Sequence, residues 1–99
     1  MLRISVQTEA NVTALELEGK LSGPWVAELE SCWRAAMAKA AGALIRVHLR
    51  AVSYIDAAGK ELLAEMHRQG VELQASGCMT RAIIAEIKGK FEMSNHRGG

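Results

Sequence analysis

The residues of this chain best placed to do chemistry lie in the stretch SYIDAAGKELL, Ser53 to Leu63. It reads as a strand that ends in a turn and restarts as a helix, with Asp56 at the cap position and Ala57, Ala58 and Gly59 in the first turn. A helix start gathers free backbone N–H groups and the positive end of the helix dipole, which suits an anion. Here the first turn offers methyl groups and no hydroxyl, and a capping carboxylate would itself occupy the anion-attracting spot. Gly59 is a poor choice for a helix interior, about 1 kcal/mol worse than alanine. Its presence predicts a close approach by another backbone, either a neighbouring loop or a partner. Lys60 beside it could steer a carboxylate, although a solvated surface lysine is the better explanation.

No other group of residues forms a reactive set. Cys32 and Cys78 belong to no Cys-x-x-Cys pair and read as reduced thiols. A helix start near Cys78 would lower its thiol pKa, but no histidine or second thiol is near it in sequence. His48, His67 and His96 are scattered without ligand spacing. There is no glycine-rich phosphate loop, no Gly-x-Ser-x-Gly elbow and no pair of buried carboxylates. The expectation is a protein without catalytic residues, metal or cofactor, and not an enzyme.

Composition narrows the class further. A length of 99 residues suits one small domain with a single core, and 49% apolar with 23% charged residues suits an ordinary globular protein. A formal net charge of +1 supplies no electrostatic footprint for nucleic acid. No run approaches the roughly 18–20 apolar residues that span a bilayer, Lys39 interrupting the longest alanine-rich stretch. MLRISVQ alternates apolar and polar residues, unlike a signal peptide. A cytoplasmic protein that neither inserts in a membrane nor binds nucleic acid is expected.

The elements that must position the turn can be read from periodicity. Alternation in steps of two marks four strands, around Leu2–Gln7, Thr13–Glu18, Ile45–Arg50 and Val71–Ser76, each with one buried and one wet face. Central strands covered on both faces would be apolar throughout, so the helices are expected on one face only. Helical stripes run from Pro24 to Ala41 (Trp25, Leu29, Trp33, Met37, Ala40), from Ala57 to Gln69 before Gly70, and from Met79 to about Lys88. The fold class is therefore α/β, in the order ββαβαβα. A hairpin through TEAN comes first, and crossovers make the later strands parallel in a mixed four-stranded sheet.

Such a sheet gathers its strand-to-helix loops at one edge, the usual place for a ligand. Three loops are expected there: Gly19–Trp25, Arg50–Gly59 and Ala75–Met79. Ser22, Asp56 and Ser76 are their N-cap candidates. On the wet face, Arg46, His48 and Arg50 would lie beside Glu16, Glu18, Glu72 and Gln74, and cross-strand ion pairs account for them.

The element order, LELEGKLSG, and VSYIDAAGKELLAEMHRQGVELQASG with its Asp-x-x-Gly turn together resemble the STAS family of anti-sigma factor antagonists, over most of the chain. The resemblance implies a STAS-like domain over residues 1–91, with 92–99 a flexible C-terminal tail. In phosphorylatable members the turn reads Asp, two hydroxyl residues, Gly, and a kinase phosphorylates the second hydroxyl. Asp56 and Gly59 match, whereas Ala58 stands at the acceptor position and cannot accept phosphate. Ser53 and Tyr54 precede Asp56 and do not match. Many STAS domains add a strand and a final helix after the fourth strand; here KGKFEMS is either an abbreviated last element or leaves an edge uncovered. An uncovered edge is a pairing site, so self-association is weighed as well.

Three functions follow as expectations. The first is an interaction module resembling anti-sigma factor antagonists. It would dock an anti-sigma factor or kinase-like protein through Asp56, Ala57, Ala58, Gly59 and Lys60, with Ser22, Gly23 and Ser76 from the adjacent loops. The second is a regulatory or structural STAS subunit of a larger complex, such as a lipid-transport ABC assembly. The third is a sensor of a small anionic ligand or nucleotide held at the helix starts.

Overall fold

The computed structural model describes residues 1–39 and 42–97. Its elements are β1 (Leu2–Glu9), β2 (Val12–Leu21), α1 (Pro24–Lys39), β3 (Leu44–Ile55), α2 (Ala57–Arg68), β4 (Glu72–Ala75) and α3 (Cys78–Arg97). The strands lie in the order β1-β2-β3-β4, β1 antiparallel to β2 and the remaining pairs parallel. This is the α/β order and mixed sheet expected from the sequence.

Alternation decides which side chains are buried. Leu15 and Leu17 of β2 and Val47 and Leu49 of β3 point to one face, where they meet Leu29 and Trp33 of α1, Leu63 and Met66 of α2, and Ile84 and Ile87 of α3. Truncating one of these leucines to alanine costs about 2–5 kcal/mol. The opposite face is polar and stays open. There Arg46 pairs with Glu72, and Arg50 lies 3.6 Å from Glu16, on exposed or half-exposed side chains. These are the expected cross-strand pairs, each contributing little to stability.

Several boundaries differ from the sequence reading. The regular alternation stops at Arg50 and a loop is expected over Arg50–Gly59, yet β3 runs unbroken to Ile55, taking in the SYI that reads as strand before the turn. Leu17 and Glu18 face Leu49 and Ala51, and Gly19 and Lys20 face Val52 and Tyr54, so Arg50 and Ser53 are extra residues bulged out of the ladder. Each bulge resets the phase, which is why Val52 and Ile55 are buried three residues apart. In β1, Leu2 is buried, Ile4 is half-buried and Val6 is exposed, because the helices pack over β2, β3 and β4 and leave the far part of this edge strand open. Helix α3 passes Lys88 and runs to Arg97 with no proline to stop it, so KGKFEMS is helical and the sheet gains no fifth strand among the described residues. The backbone of 92–97, read from sequence as tail, belongs to this helix; Gly98 and Gly99, like Ala40 and Ala41, lie outside the described residues.

Candidate interaction site at the carboxyl end of the sheet

Because β3 extends to Ile55, it carries Asp56 to the level of Leu21, the last residue of β2. There Asp56 joins two loops. Its Oδ1 accepts a hydrogen bond from the Gly59 N–H at 2.7 Å, which caps α2, and its Oδ2 accepts one from the Gly23 N–H at 3.0 Å, at the start of α1. Its own N–H donates to the Leu21 carbonyl at 3.1 Å. The Gly23 N–H, then the Gly59 N–H, hold the Asp56 carboxyl below the usual carboxylate range, since both donate to the charged form.

Gly59 is buried at this junction. A Cβ built on it would sit 2.9 Å from the Leu21 carbonyl oxygen and 3.0 Å from Ile55 Cγ2. The close approach anticipated from sequence is thus made by the end of β2. Ala57, Ala58 and Lys60 are exposed on the outer side of the same turn, next to exposed Gly23 and Pro24. Tyr54 is 50% exposed and lies across from Lys20 in the strand pairing.

Two of the proposed caps are corrected. Gly23, with φ +57, immediately precedes α1, and Ser22 contributes its carbonyl, which accepts from the Trp25 N–H at 3.2 Å. Ser76 lies two residues before α3, because its N–H extends the β4 ladder to the Leu49 carbonyl at 3.4 Å. Its hydroxyl instead meets His48 Nε2 at 2.8 Å on the open sheet face. The start of α3 is held by Thr80, buried, whose hydroxyl donates to the Gly77 carbonyl at 3.0 Å. In the sequence the only signal for the Thr80 contact is a threonine one turn into a helix that follows glycine.

The structure therefore brings Ser22 and Gly23 together with Asp56–Lys60 and sets Ser76 apart. Ala75 stands level with Leu49 and Leu17, whereas Ile55 stands level with Leu21, four residues further along β2 and about 13 Å higher. The Cys78 side chain lies outside the described residues. Cys32 is half-buried, and burial, then the nearby Glu28 carboxylate, push its thiol pKa up, away from the reactive thiolate. Among the described residues no cluster of histidine, cysteine and carboxylate side chains could hold a metal ion, and no helix is long and apolar enough to cross a membrane.

No family model and no curated protein sequence matches the chain. Among solved structures, the fold matches an anti-sigma factor antagonist from Mycobacterium paratuberculosis with a TM-score of 0.75 and 18% identity, over 94% of this chain and 82% of that one. At that identity the likeness establishes the fold, an α/β domain built as that antagonist is built.

Proposed function

We propose that this chain is a non-enzymatic regulatory module that docks a protein partner through the Asp56–Lys60 helix start and the adjoining Ser22–Gly23 loop. The observation that carries the reading is the double use of Asp56. Both carboxylate oxygens are taken by backbone N–H groups of the protein itself, fixing two loops into one surface that presents Ala57 and Ala58 outward. A surface so fixed, with no nucleophile or free carboxylate at its centre, suits recognition rather than reaction. One structural neighbour is an anti-sigma factor antagonist, and an anti-sigma factor or related kinase-like protein is the partner class that fits the likeness. With Ala58 at the position of the family's acceptor hydroxyl, docking is governed by partner abundance or by a change in the partner rather than by phosphorylation at this turn. The sensor reading loses support, because Asp56 already occupies the Gly23 and Gly59 N–H groups that an anionic ligand would need.

The experiment is a paired affinity capture from native cells with the wild type and Ala58→Glu, identified by mass spectrometry, with circular dichroism on both. A protein retained by the wild type and lost with folded Ala58→Glu is expected, and its identity separates a soluble kinase-like partner from a membrane-associated ATPase. Equal retention of every captured protein would overturn the surface.

A further inference from the structure

Among the described residues, strand β4 is the last strand of the sheet, paired with β3 on one side only. The Ser76 N–H donates to the Leu49 carbonyl, and this fixes the phase of the whole strand. Gln74 and Ser76 turn their backbone groups toward β3, so Leu73 and Ala75 turn theirs toward the open edge. One of these groups is already engaged: Lys88 of α3 reaches across the edge, and its Nζ donates to the Leu73 carbonyl at 3.4 Å. A lysine over an edge strand is a recognised way of discouraging strand addition.

We infer that the β4 edge is a pairing surface for a second copy of this chain and that Lys88 holds it closed. The strand is self-complementary in antiparallel register about Gln74. Leu73 then faces Ala75 of the second copy, the two exchanging N–H···O bonds, and Glu72 faces Ser76, so no like charges meet within the pairing. Leu73 and Ala75 stay on the helix-covered face, and Glu72, Gln74 and Ser76 on the polar face, so the two sheets become continuous without moving a side chain between faces. Lys88 opposes this twice: it occupies the Leu73 carbonyl that the pairing needs, and the dimer would bring two ammonium groups to one seam. The surface is separate from the Asp56 turn, so its test does not depend on the docking reading.

The test compares the wild type, Lys88→Met and Lys88→Met with Ala75→Pro by light scattering after size exclusion, across a concentration series. The Ala75 N–H points outward, so proline there removes a pairing group and no bond to β3. The wild type runs as a monomer, Lys88→Met doubles in mass, and the double variant returns to monomer mass. Amide exchange in Lys88→Met provides a second readout, slowing at Leu73 and Ala75 as the dimer forms. A folded Lys88→Met that stays monomeric, an already dimeric wild type, or a Lys88→Met dimer without slowed exchange at these amides would overturn the inference.

Discussion

Replacing Gly59 with alanine sets two opposing effects against each other, and the structure decides the sign. Helix propensity alone favours alanine by about 1 kcal/mol. Against it, the new methyl group would lie 2.9 Å from the Leu21 carbonyl oxygen and 3.0 Å from Ile55 Cγ2. The oxygen belongs to the backbone at the end of β2, and it also accepts the Asp56 N–H, so it cannot swing away as a side-chain tip would. Relief requires α2 to move off the sheet, an overpacking cost of about 1–3 kcal/mol. Allowing for the tight fit at two separate atoms, the upper half of that range applies, and the net effect is a loss of about 1–2 kcal/mol. For a domain of this size each kcal/mol shifts Tm by roughly 4–8 °C. Gly89 is the internal control: it lies within α3, and a Cβ there meets nothing within 4 Å, so Gly89→Ala should gain up to about 1 kcal/mol. Urea and thermal unfolding of both variants check the pair. If Gly59→Ala stabilises as Gly89→Ala does, the close junction of α2 with β2 is wrong.

Three further outcomes are expected. Because the folded Asp56 pKa is depressed, its ionised form stabilises the protein at neutral pH, and that contribution fades as pH falls below the ordinary carboxylate pKa of about 4 and then through the folded value. The urea midpoint of the wild type should therefore exceed that of Asp56→Asn near neutrality and converge on it in acid; a gap that does not change with pH would contradict the assignment. Ala10 occupies the hairpin turn with φ +46, a left-handed conformation that costs a non-glycine residue about 1–2 kcal/mol, so Ala10→Gly should raise Tm despite glycine's greater unfolded-state entropy. Trp33 is buried in the core, and Trp33→Ala should cost about 3–5 kcal/mol in denaturant unfolding.

Where one periodicity persisted, the sequence was readable. The alternation of Leu15 with Glu16 and Leu17, and of Val47 with His48 and Leu49, marked β2 and the first half of β3, and predicted which face would carry ion pairs. The continuity of β3 was hidden because the bulges at Arg50 and Ser53 turn a period of two into intervals of three, so that only SYI before the turn still read as strand. Gly59 was legible as a close approach because a glycine in a first turn is costly without one. The bridge from Asp56 to Gly23 was not, since it joins residues 33 apart through a backbone N–H that leaves no mark on residue type. Ser22 and Ser76 misled for a related reason: a serine shortly before a helix suggests a cap, but Gly23 and Gly77 stand closer to the helix starts. The start of α3 was visible, while its end was not: the apolar stripe stops at Ile87 and Gly89 weakens a helix, yet α3 runs on to Arg97.

The central claim, that the exposed alanines beside Asp56 form a docking surface, is tested most directly by titrating the captured partner into the wild type and into Ala58→Glu by calorimetry. A carboxylate at Ala58 places charge and bulk on the outer side of the turn, away from the buried Gly59 junction. The predicted result is a loss of at least about tenfold in affinity, near 1.4 kcal/mol, with the unfolding midpoint little changed. Equal affinity for the two proteins would contradict the account.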